Sequence, residues 1–106
     1  MDPLVNIVRE EVGKYAGSGR GGNVRLLPVY DDERRTYAVT AVDHPRVRWP
    51  AGVVVLARVV GDVVVIEDDQ TDRPLVDALL QRGVPREKIV LVYAGEPAPD
   101  ADYSAG

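Results

Sequence analysis

Apolar residues recur at helical spacing from Leu4 through Ile7, Val8 and Val12 to Tyr15, and Asp2-Pro3 ahead of them supplies a capping carboxylate followed by proline at the first helical position. A helix to about Ala16 is predicted. The period then shortens to two. Val24 to Tyr30 reads as a strand, Asp31-Asp32-Glu33-Arg34 as a turn, and Arg35 to Asp43 as a second strand whose Tyr37, Val39 and Ala41 share one face. His44-Pro45 breaks the ladder, because proline has no N–H to donate, and Arg46 to Gly52 form an irregular connection. Between helix and first strand, the run Gly17-Ser18-Gly19-Arg20-Gly21-Gly22-Asn23 follows a helix, not a strand, and lacks the lysine and hydroxyl ending of a phosphate loop, so it reads as a flexible connector.

Val53 to Val60 and Val63 to Asp68 flank Gly61-Asp62, a two-residue loop with glycine at the first central position, as a type II′ hairpin prefers. Pairing Val60 with Val63 sets Ala57 opposite Ile66 and Val59 opposite Val64. One face then collects Val53, Val55, Ala57, Val59, Val64 and Ile66 and is expected to meet the helices. The other face carries Val54, Leu56, Arg58, Val60, Val63, Val65 and Glu67, with Arg58 and Glu67 placed to pair diagonally. That second face is too apolar for open water. Val54, Leu56, Val60, Val63 and Val65 are therefore expected to form an interface with another polypeptide, whether a partner or a second copy in a homo-oligomer.

After the acidic turn Glu67-Asp68-Asp69, Thr71 and Asp72 are positioned to cap a second helix that begins near Pro74 and buries Leu75, Val76, Ala78, Leu79 and Leu80. Gly83 in the left-handed conformation, Val84 folding back and Pro85 blocking continuation make a complete helix stop. Ile89 to Tyr93 is the last strand. The predicted fold is a two-layer α+β domain over residues 1–106, order α-β-β-β-β-α-β, with an antiparallel sheet of about five strands and two main helices on one face. A tail over 95–106, rich in Pro, Ala and Asp, is expected to be mobile.

Composition removes several classes of chemistry. No cysteine is present, which excludes disulfides, thiolate metal sites and cysteine nucleophiles. His44 is the sole histidine, and Ser18 and Ser104 lie in the glycine connector and the tail, so no hydrolase triad can be assembled. No catalytic residue, cofactor or metal is expected, and with no leader or membrane-length apolar run the protein is expected in the cytoplasm. The net charge of −4 disfavours broad capture of phosphates. Two alternatives stay open. Arg46, Arg48 and Trp49 interleave cations with an aromatic ring and offer a local nucleic-acid contact. Asp68, Asp69 and Asp72 offer hard oxygen ligands for a metal-dependent enzyme, although their spacing matches no calcium loop.

The stretch 63–97 resembles the XisI family, the fdxN element excision controlling factors. The resemblance is carried by Ile66-Glu67, Asp69, Thr71-Asp72, Leu79, Gly83-Val84-Pro85, Lys88-Ile89-Val90-Leu91 and Pro97, and Asp31 to Tyr37 is similar to the family's early Asp-x5-Tyr hairpin. The chain departs from the family pattern around Val64 and Val65, where a tryptophan is usual, at Val42-Asp43, where glycine-tryptophan is usual, and in the tail, where an arginine is missing. The resemblance implies family-motif roles for Asp69, Thr71, Asp72, Gly83 and Pro85. It also implies a bacterial, non-enzymatic accessory factor that acts with a XisH-like nuclease-fold partner in controlling excision of a DNA element by a separate recombinase.

Overall fold

The structure, a computed structural model, describes residues 2–18, 24–43 and 52–100, without the side chains of residues 18 and 43. Helix α1 (Pro3–Gly13) opens as its sequence requires, with the Asp2 carboxylate accepting from the Leu4 amide at 2.8 Å and proline in the first turn. The chain then enters β1 (Gly17–Ser18), β2 (Val24–Asp31), β3 (Thr36–Asp43), β4 (Gly52–Val60) and β5 (Val63–Asp69), crosses through α2 (Leu75–Gln81), and returns as β6 (Ile89–Leu91). The six strands lie in sequence order in one sheet. All neighbours are antiparallel except β5 and β6, which run parallel because a helical crossover, not a hairpin, joins them. The sheet is therefore mixed, where the sequence predicts an antiparallel one.

The β4–β5 hairpin pairs Val60 with Val63, Val59 with Val64 and Ala57 with Ile66, the register expected from the turn. Gly61 has φ +61, whereas Asp62 keeps a negative φ, as a type II′ turn needs. Two bulges then change which side chains face which layer. One puts Val54 as an extra residue against β3, between the Val39–Val55 and Thr40–Val53 pairs. The other makes Glu67 the extra residue, between the Ala57–Ile66 and Leu56–Asp68 pairs.

Both helices cover the same face. Val5, Val8 and Val12 of α1 and Leu75 and Leu79 of α2 join Tyr37, Val39, Val55, Ala57, Val59, Val64, Ile66, Val84 and Ile89 in one buried cluster. Val53, expected on this face, is instead 41% exposed, and Val54 packs against the core in its place, because the bulge slips the alternation by one residue. Helix α1 also approaches β2 closely at Gly13, where a Cβ would run into the Tyr30 hydroxyl.

Candidate functional site

The acidic loop after β5 is built around Asp69. Its Oδ2 accepts from the Leu75 amide at 2.7 Å, and its Oδ1 accepts from the Thr71 amide at 2.9 Å and lies 2.6 Å from the Thr71 hydroxyl. The residue that caps α2 is thus Asp69, six positions upstream of the first helical amide, and not Thr71 or Asp72 as the sequence suggests. Pro74 occupies the N-cap position and has no side-chain oxygen to offer, so the capping acceptor comes from the strand end. Thr71 stands between the Asp69 carboxylate and the Arg73 carbonyl, 2.9 Å away, and the Tyr15 hydroxyl of α1 donates to that same carbonyl. Burial and the Asp69 charge push the Tyr15 phenol upward.

Beside this loop lies a groove of about 480 Å³ between the end of α1 and the start of α2, with Lys14, Tyr15, Asp72, Arg73 and Asp77 in its wall. It mixes both signs of charge. The Asp69 oxygens already point at backbone donors, and Asp68 accepts from the Gln70 side chain at 2.9 Å. These carboxylates diverge into local structure and do not converge on one point, and among the described residues no group of three potential ligands could hold a metal ion.

Gly83 and Pro85 sit at the opposite end of α2. Gly83 has φ +90, its amide bonds to the Leu80 carbonyl at 3.0 Å, and the Val84 amide bonds to the Leu79 carbonyl at 3.0 Å. This is the paired-bond stop in which only glycine avoids a Cβ penalty, and it delivers Val84 to the core. Asp69 and Gly83, two of the positions expected to carry the family motif, thus start and end the same helix.

Two polar clusters escaped the sequence reading. Glu11 is 5% exposed, yet charged, and takes hydrogen bonds from Lys14 at 2.8 Å and from Arg82 at 2.7 Å. Arg82 also reaches Glu10 at 3.0 Å, which ties the end of α2 to α1. Burial alone would raise the Glu11 carboxyl, but these two cations outweigh it and hold it below the usual range. The available signal was an acid three residues after Val8 and beside Val12, on the buried stripe. At the other side of α1, Arg9 stacks over Tyr30 at 4.6 Å, and its Nε lies 3.5 Å from Asp32, an ion-pair distance without hydrogen-bond geometry. Asp32 accepts from the buried Tyr37 hydroxyl at 2.8 Å, and burial together with that carboxylate pushes the Tyr37 phenol up to about 12.

On the sheet face away from the helices, the predicted stripe is only partly open. Val54 belongs to the helix side for the reason given above. Leu56, Val60 and Val63 are half-buried, and Val65 is fully buried although it lies outside the main core cluster. Among the described residues, Ala38 and Ala98 are the other buried apolar ones outside that cluster. The segment after β6 reaches this face at Arg58, whose terminal nitrogens donate to the Asp100 carboxylate at 2.8 and 3.0 Å while its Nε donates to Glu67 at 2.8 Å. Open apolar surface persists further along the sheet, at Leu27, Val29 and Val53, which are 37%, 52% and 41% exposed. Leu27 and Val29 pair with Thr40 and Ala38, and Val53 pairs with Thr40, which places all three on this outer face. The sequence shows Leu27 and Val29 on a strand, but the neighbouring Pro28 and Tyr30 hide the alternation that would assign them a face. Arg46, Arg48, Trp49 and His44 lie outside the described residues.

The model of the XisI protein family matches residues 3–101. A crystal structure of a XisI-like protein from Anabaena variabilis is 26% identical, with a TM-score of 0.71 over 90% of this chain and 85% of that one. A second, of the fdxN element excision controlling factor XisI from Anabaena variabilis, is 21% identical with a TM-score of 0.60 over 90% of each chain, and shows the shared fold. Among curated proteins none matches.

Proposed function

The chain belongs to the XisI family, and on that premise we propose that it is a non-enzymatic accessory factor of the cytoplasm that helps control excision of a DNA element through protein contacts with a XisH-like, nuclease-fold partner. The observation that carries this reading is the outer sheet face, where Leu27 and Val29 of β2 and Val53 of β4 expose aliphatic surface. Around them Leu56, Val60 and Val63 continue the apolar surface toward the hairpin. Arg58, Glu67 and Asp100, which pair with one another, lie toward the hairpin end of this face, and Arg25 and Asp68 edge it beside Leu27 and Leu56, so the apolar patch has a polar rim. The acidic loop supports the non-enzymatic side of the reading, since its key carboxylate is occupied as a helix cap.

The test is co-purification. The chain is expressed with the product of a neighbouring nuclease-like reading frame, and the pair is expected to elute together. Replacing Leu27, Val29 and Val53 with aspartate should release the neighbour while the circular dichroism spectrum stays unchanged. Failure to co-elute with every such neighbour, or retention of the neighbour by the triple variant, would refute the reading. Elution of the chain alone as a dimer would instead assign this face to a second copy.

A further inference from the structure

We propose that the outer sheet face around Arg58 is a binding site for an extended acidic segment with a small apolar residue two positions before its carboxylate, and that in the free protein the site is filled by the chain's own Ala98-Pro99-Asp100. The inference deepens the accessory-factor reading, and rests on it only for who supplies the competing segment.

Three observations converge here. Arg58 stands on the face away from both helices, paired with Val65 across the hairpin, with the half-buried Leu56 and Val60 two residues to either side along β4. Glu67, the bulged residue of β5, holds its Nε at 2.8 Å and leaves both terminal nitrogens for a bidentate carboxylate. The Asp100 carboxylate takes that fork with one oxygen on each nitrogen. The second observation is the seal. Ala98 is buried, and so is Val65, the cross-strand partner of Arg58, so the segment buries an apolar side chain of its own as well as neutralising a charge.

The third observation is that the seal is light. The residue inserted is an alanine, the smallest apolar side chain, although the strands beneath are rich in valine and leucine. The intervening Pro99 is exposed, and Asp100 is 44% exposed. The segment has no strand or helix of its own after the short turn at Val92–Ala94 and Gly95, so it lies on the sheet without adding a strand to it. The Glu96 carboxylate anchors its beginning, accepting from the Leu91 amide at 2.8 Å and from Arg86 at 3.1 Å. Ala98 lies outside the main core cluster, so displacing the segment leaves that cluster intact. A partner segment carrying the same chemistry would take its place on Arg58. Because the chain's own segment is tethered, it competes at an effective concentration of about millimolar, which masks the site from weak ligands.

The probe is a labelled peptide copying residues 95–101, followed by fluorescence anisotropy against full-length protein. In the Asp100→Lys variant the chain's own segment is repelled by Arg58, so the peptide should bind at least ~10-fold more tightly than to the unaltered chain, and more weakly as salt is raised. Adding Arg58→Gln to that variant should abolish the gain. Thermal melts of both variants check that each is folded. Equal binding by the unaltered chain and Asp100→Lys, no binding by Asp100→Lys, or binding that survives loss of Arg58 would overturn the proposal. These outcomes are independent of co-purification: a peptide that binds while no neighbour co-elutes leaves the site standing and removes only the accessory-factor reading.

Discussion

Replacing Asp69 with alanine tests whether this acid works as a structural cap. The substitution removes the acceptor for the Leu75 amide, the Thr71 amide and the Thr71 hydroxyl together. Loss of an N-cap alone costs about 0.5–2 kcal/mol, and a hydrogen bond to a charged group is worth about 1.5–3 kcal/mol. The three bonds share one carboxylate and are not additive, so the expected loss is about 2–4 kcal/mol, against the ~5–15 kcal/mol typical of a whole domain. For a chain of this size that lowers Tm by roughly 10–20 °C. Asp69→Asn keeps one oxygen and should lose about half as much, and Thr71→Ala removes only the hydroxyl and should lose about 0.5–1.5 kcal/mol. Urea titrations followed by circular dichroism give the three values directly. A loss below about 0.5 kcal/mol for Asp69→Ala would refute the capping account. A melting temperature raised by millimolar magnesium, calcium or manganese in the unaltered chain, and not in Asp69→Asn, would show that the carboxylate holds a metal instead.

Three further outcomes follow from the geometry. Tyr37 has its folded pKa raised from 10.0 to about 12, so the stability it contributes is complete below pH 10 and is lost as pH rises toward 12; the loss is about 2–3 kcal/mol, and Tyr37→Phe should flatten that alkaline limb in pH-dependent urea melts. Glu11 is shifted the other way, below 4.5, so its contribution is present above that value and is lost as pH falls through the lower folded value; Glu11→Gln should remove this part of the acid limb, and an unchanged acid limb would show that the contacts to Lys14 and Arg82 carry no stability. Gly83→Ala places a Cβ at φ +90 and should cost about 1–2 kcal/mol in the same denaturation assay, whereas a neutral result would mean that the stop after α2 is not strained by a side chain.

Much of this molecule was legible in one dimension because its signals are local. Asp2-Pro3 opens a helix, Gly61-Asp62 sets a hairpin register, and Gly83-Val84-Pro85 ends a helix, each through the dihedral and hydrogen-bonding limits of a few adjacent residues. The buried faces of β4 and β5 from Val55 onward follow from that register, because alternation carries the effect of one turn along both strands. The cap of α2 was less legible: Thr71 and Asp72 have the right chemistry nearby, but the proline before Leu75 passes the task to Asp69, and only the path of the loop shows it.

What tertiary structure alone decided lies wherever alternation slips or two distant segments meet. A single extra residue at Val54 exchanges the environments of Val53 and Val54, and no local signal marks a bulge within a run of valines. The parallel placement of β6 depends on where α2 packs, not on the residues of β6. The pairing of Glu11 with Arg82 and of Arg58 with Asp100 joins positions far apart in the chain, so charge patterning along the sequence cannot predict either. Local stereochemistry wrote the elements and most of their buried faces; packing between remote segments chose which apolar surface stayed open and which charges were answered.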